Sequence, residues 1–170
     1  MKKPTKMLVR ISILLAIEII LSRFFSISTP ILKIGFAFVP LAICGIFYGP
    51  IWAGVVGGLA DLLGANLFPV GIYFPGFTIS GTLSGIVYGL FLHKRPWTWT
   101  NIVILVFIQR IVIGLFLSTY WLTFLTKLPF TVLFTTRILQ ALLLIPIQIF
   151  MLRIITQRIR TSALSLECHM

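Results

Sequence analysis

The chain has 170 residues, of which 59% are hydrophobic and 10% are charged. Soluble domains carry about 45–50% apolar and about 25% charged residues, so a water-soluble globular fold is excluded, and a mean hydropathy of +1.11 marks an integral membrane protein. A net charge of +11, from 14 Lys and Arg against 3 Asp and Glu, would point to nucleic acid in a soluble protein. In a membrane protein it first reports topology, because Lys and Arg collect in cytoplasmic loops.

A spanning helix takes about 20 apolar residues, so residues 1–170 are expected to form one membrane domain of six spans, all-α, with no separate soluble module. The first span is expected over 7–25. The run from Met7 carries Glu18 and lacks a small-residue cleavage site, so it stays as an anchor instead of being removed as a signal peptide. Pro30 and Lys33 then break the helix and return the chain to water over 26–34. The second and third spans, 35–47 and 51–66, are separated by the turn at Tyr48, Gly49 and Pro50. Residues 67–76, LFPVGIYFPG, hold two Pro, two Gly and three aromatics without a charge. They are too broken for a regular helix and too apolar for a solvated loop, and are expected to fold back onto the protein as a ligand lid. The remaining spans are expected at 77–92, 100–125 and 130–156, followed by a polar tail.

Charge orients this bundle. With both termini cytoplasmic, Lys2, Lys3, Lys6, Arg10, Lys94, Arg95, Arg153, Arg158 and Arg160 lie inside, and only Arg23, Lys33 and Lys127 lie outside. Trp97 and Trp99 read as interfacial anchors on the inner side. Cys44 and Cys168 offer neither a disulfide framework nor a metal cluster.

Glu18, Asp61, Arg110 and Arg137 fall within spans. A charge at bilayer depth costs about 2.5–3.5 kcal/mol or more, so such residues face the interior, pair with one another or meet a polar ligand. Asp61 is read as a ligand residue, since a carboxylate accepts two in-plane hydrogen bonds from adjacent N–H donors. For Glu18 and Arg110, pairing that fixes the bundle stands equally open. The outer cations suit an anionic ligand, with snorkelling from helix ends the alternative, and Phe68, Tyr73, Phe74 and Phe77 supply stacking surfaces for a flat ring. Gly54 and Gly58, the series Gly81, Gly85 and Gly89, and the pair Ser12 and Ala16 recur every fourth residue and allow close helix approach. The glycines are expected to pack within the chain, whereas Ser12 and Ala16 equally suit a helix of another subunit. No phosphate-binding loop, metal cluster or catalytic constellation is found, so no enzymatic activity and no cofactor are expected.

The stretches LSRFFSI (21–27), GFAFVPLAICGIFYGP (35–50) continuing through Gly54, Gly58 and Asp61, and FPVGIYFPGFTISG (68–81) resemble the substrate-binding (S) components of energy-coupling-factor vitamin transporters, in particular the folate-specific branch. Weaker support comes from QRIVIGLFLSTYWL (109–122) and from Arg137 with PIQ at 146–148; Ser118 stands where that branch often has Asn. The resemblance covers 7–156. It implies a subunit of a prokaryotic cell membrane that captures folate outside and delivers it by docking on a membrane coupling protein with two cytoplasmic ATPases, Ser12 and Ala16 resembling the docking face. Implied folate partners are Asp61, Tyr73, Phe74 and Trp121 for the pterin, Arg23, Lys33 and Lys127 for the glutamate, and Arg110 or Arg137 deeper; which cation meets which group is left open. The same fold with other loops would serve riboflavin or thiamine, and an ion-driven carrier using Glu18 and Asp61 is the more distant alternative.

Overall fold

The computed structural model describes residues 3–24, 26–28, 33–68, 73–94, 98–126 and 130–167. The elements in chain order are α1 (Lys3–Arg23), β1 (Ser26–Ser28), β2 (Lys33–Gly35), α2 (Phe38–Leu67), α3 (Pro75–Leu92), α4 (Trp99–Ile108), a π-helical segment (Gln109–Leu117), α5 (Ser118–Thr126) and α6 (Phe130–Glu167). The helices Phe38–Leu67 and Pro75–Leu92 and the stretches Trp99–Thr123 and Phe134–Ile159 are long and apolar enough to cross a membrane. Helix α1, which holds Lys6, Arg10, Glu18 and Arg23, is too charged to join them on composition alone.

Helix α2 is broken at Gly49, whose φ of 84° and ψ of −176° are open essentially only to glycine. Pro50 requires an extended residue before it and then starts the next helical run, so the Gly-Pro pair turns the chain without a loop. The second run packs antiparallel on α3 through a seam of small residues. A methyl group added at Gly57 would strike the carbonyl oxygen of Gly81, one at Gly85 that of Ala53, and one at Gly89 the backbone of Pro50. The interval-of-four glycines thus pack within the chain, as expected.

Around this seam Leu41, Ala42, Cys44, Ala53, Val56, Tyr88 and Leu92 join Ile102, Leu105 and Val106 of α4 and Leu152 of α6 in one core. Among its described side chains, helix α6 buries the stripe Gln140, Leu144, Gln148, Leu152 and Thr156, each four residues on, and leaves Leu139, Leu142, Leu143 and Phe150 exposed. Ser12 and Ala16 lie on the exposed side of α1, among exposed Ile13, Ile17 and Ile20.

Two local expectations are corrected. The segment after α1 is not a plain loop. Ser26, Ile27 and Ser28 pair antiparallel with Gly35, Ile34 and Lys33, and Gly35 is required because a Cβ there would lie 2.6 Å from Cβ of Ser26. The fifth helix is not regular, because its middle nine residues wind as a π-helix.

Candidate functional site

The seam between α2 and α3 sets the first wall of the site. Gly57 meets Gly81, so one turn further along α2 Asp61 faces a residue about one turn earlier on α3, where Thr78 stands. Thr78 Oγ1 donates to Asp61 Oδ2 at 3.1 Å and lies 3.1 Å from the hydroxyl of Tyr73. Asp61, half-buried, is thus braced on one oxygen by α3 while Oδ1 remains for another donor. One turn beyond Asp61, Gly64 is bare because the Arg23 guanidinium lies over it, and a Cβ there would be 2.8 Å from Arg23 Nε. The end of α1 therefore delivers a cation to the same stretch of α2 that carries the carboxylate. Nearby, Phe24 packs edge-on against Phe68 with ring centroids 5.1 Å apart.

The second wall is aromatic. Pro75 starts α3 and leaves Phe74 in an extended conformation, with its ring 5.5 Å from Trp121 of α5 and 6.4 Å from Phe77. Tyr120 packs edge-on against Trp121 at 5.1 Å. Gly76 is bare because Trp121 and Phe74 occupy the space a side chain would need. The first turn of α3 thus carries Phe74, Phe77 and Thr78, and joins the carboxylate wall to the ring wall.

Nε of Arg23 and Nε1 of Trp121 are buried without a hydrogen-bond partner among the described residues, as is Nε of Arg137 on α6 beside the π segment. Arg137 also donates from Nη1 to the Gly114 carbonyl at 3.4 Å. Buried donors are nearly always matched by acceptors, so this set suits a ligand that presents carbonyl or carboxylate oxygens.

The cation Arg110 is placed differently. Its Nε donates to Gln148 Oε1, and Gln148 Nε2 donates to the hydroxyl of Tyr88. Tyr88 lies ten residues beyond Thr78 on α3, about 15 Å along the axis. Arg110 therefore belongs to a buried network deep in the bundle, away from Asp61. Glu18 is buried in α1, and the side-chain hydrogen bond of Arg110 goes to Gln148 of α6. Lys127 and residues 69–72 lie outside the described residues, as does the side chain of Lys33. A hollow of about 530 Å³ is lined by Leu83, Val112, Ile113, Phe116, Leu117 and Tyr120. It is an apolar flank between α3 and the π segment and offers a polar ligand nothing.

Thr78, Gln148 and Tyr88 were not singled out in the sequence. For Thr78 a signal existed: the glycine seam fixes which residue of α3 faces Asp61. Gln148 lay within a motif but carried no sign of its partners.

Residues 6–156 match the family described as the substrate-specific component of ECF transporters. The folate transporter FolT of Clostridium novyi (strain NT) is 37% identical over 145 residues, covering 85% of this chain and 84% of the relative. A folate transporter FolT of Leuconostoc mesenteroides subsp. mesenteroides is 28% identical over 154 residues, covering 87% and 83%. Among solved structures, FolT bound with folic acid superposes with a TM-score of 0.83 at 33% identity, covering 86% of this chain and 89% of that one. With the match spanning nearly all of the helical region, the chain belongs to the substrate-specific components of ECF transporters, a family of non-enzymatic integral membrane transport subunits.

Proposed function

We propose that this chain is the folate-binding subunit of an ATP-driven vitamin uptake transporter in a prokaryotic cell membrane. One observation carries the reading: a braced carboxylate, Asp61 with Thr78 and Tyr73, stands beside the ring wall of Phe74, Phe77 and Trp121 in a fold close to that of a folic-acid-bound relative. The flat pterin of folate, with adjacent ring and exocyclic N–H donors, meets the Oδ1 of Asp61 while it stacks on the rings. Its glutamate end meets cations. Arg23, at the same end of α2, takes this role together with Lys33, and Arg137 reaches the deeper acceptors. Phe68 closes the rim. Arg110 supports the bundle from below.

On this reading the bundle crosses the membrane six times, with α2 counted as two spans at Gly49 and α1 as a span, and with both termini inside. Loaded subunit then docks on a membrane coupling protein carrying two cytoplasmic ATPases, through the exposed Ser12 and Ala16 face of α1. Titration of the purified chain in detergent with folic acid, riboflavin and thiamine, without any ATPase subunit, tests the ligand. Saturable binding of folic acid alone is expected, and binding of either other vitamin in preference to it would overturn the reading.

A further inference from the structure

Helix phase through the π segment makes an unexpected demand on the bundle. Ile102 and Tyr120 are separated by about five turns of regular α-helix and would share one face, yet Ile102 is fully buried and Tyr120 is 52% exposed. Thr119 and Leu122 are buried instead. The π segment Gln109–Leu117 therefore resets the phase of α5 relative to α4, and the reset leaves Trp121 turned toward Phe74 and Gly76.

Two side chains at the start of this segment hold it. Gln109 Nε2 donates to Ser84 Oγ of α3 at 2.7 Å. Arg110 Nε donates to Gln148 of α6, which is 1% exposed and passes the contact on to the fully buried Tyr88 of α3. Further along, Ser118 Oγ donates to the Ile113 carbonyl at 2.9 Å and Arg137 to that of Gly114. A buried ionic and polar network is a poor source of stability compared with apolar packing, and its better-attested use is to select one register. Here the register it selects is that of a helix that changes winding at the very residues the network grips.

We propose that Gln148 is a positioning residue for ligand binding: by holding Arg110 against Tyr88 it fixes the start of the π segment and so the rotation that presents Trp121 to the ligand. This rests on the folate site proposed above. The test uses the full chain with Trp52→Phe, Trp97→Phe and Trp99→Phe, so that Trp121 alone fluoresces, reconstituted in nanodiscs with and without acyl-brominated phospholipid, which quenches indoles that face lipid. Gln148→Leu is expected to raise bromolipid quenching of Trp121 and to weaken folic acid binding at least tenfold. Gln148→Glu, which keeps an acceptor for Arg110 and lets the tyrosine hydroxyl donate to its other oxygen, is expected to preserve both. Folded Gln148→Leu protein with unaltered quenching and affinity would overturn the proposal, as would equal loss of both in Gln148→Glu. Should Gln148→Leu not fold, Tyr88→Phe removes only the hydroxyl that accepts from Gln148. A smaller shift of both readouts in the same direction supports the proposal, and unaltered values overturn it. Failure of the otherwise unsubstituted chain to bind folic acid would sink the ligand reading, while the bromolipid comparison would still decide whether Gln148 sets the rotation of Trp121.

Discussion

Asp61→Asn is the substitution that most directly probes the site. Asn keeps an acceptor for Thr78, whose hydroxyl now donates to Asp61 Oδ2 at 3.1 Å, and it keeps the shape of the side chain. What it removes is the negative charge and the acceptor at Oδ1. A hydrogen bond to a charged group contributes about 1.5–3 kcal/mol, so folic acid should bind about ten- to a hundredfold more weakly. Stability should not fall with it, because a carboxylate at bilayer depth costs about 2.5–3.5 kcal/mol and Asn relieves that penalty. Titration of purified wild-type and variant protein with folic acid, paired with thermal melts of both, separates the two effects. Thr78→Val serves as the control: it removes the brace between Asp61 and Tyr73 but leaves the charge and Oδ1 for the ligand, so its loss of affinity should be smaller, about 0.5–1.5 kcal/mol. An affinity for folic acid within twofold of wild type in Asp61→Asn, with the protein folded, would refute the assignment of the carboxylate to the ligand.

The other walls of the site and its seam are equally testable. Trp121→Leu should weaken folic acid binding by more than Trp121→Phe, since the phenyl ring retains the stacking contribution of about 0.5–1.5 kcal/mol; titration gives both values. Arg23→Gln should weaken binding of folic acid yet leave that of pteroic acid, which lacks the glutamate, nearly unchanged; equal losses for the two ligands would remove Arg23 from the glutamate end. Gly85→Ala should lower the melting temperature by the equivalent of about 1–3 kcal/mol of overpacking, because its methyl group would collide with the Ala53 carbonyl. Gly114→Ala, where a methyl would meet only the Gln109 carbonyl at 3.6 Å, should melt close to wild type.

The helices of the bundle were legible because apolar runs bounded by Pro, Gly and charge leave little choice in a lipid solvent. The break at Gly49 followed from the Gly-Pro pair, and the packing of Gly81, Gly85 and Gly89 on α2 from their spacing. The hairpin after α1 was missed because Ser26–Ser28 and Lys33–Gly35 are three residues each, too short for alternation to stand out against Pro30. The π segment was invisible for a different reason: winding by one hydrogen-bond step more leaves composition and hydropathy unaltered. Of the site, the residue types were legible and their pairing was not. For Arg110 a bundle role and a ligand role stood equally open, and its partner Gln148, uncharged and on another helix, gave no sign of the pairing.

The two walls of the site differ in how rigidly the fold holds them, and this bears on how a subunit can both capture and release. Asp61 and Thr78 sit on the glycine seam, where the backbones approach too closely to admit a methyl group at Gly57 or Gly81; close-packed contacts of this kind resist small displacements. Trp121 sits beyond a π segment that leaves α5 rotated against α4, and π turns are local departures from regular winding that recur at functional sites. Its indole packs on the rings of Phe74 and Tyr120 and over Gly76. On the proposal that Gln148 sets the rotation of Trp121, a change of rotation at α5 would withdraw one face of the ring stack without separating the helices that carry Asp61. On the folate reading proposed above, the carboxylate wall selects the donors of the pterin and the aromatic wall supplies its stacking face.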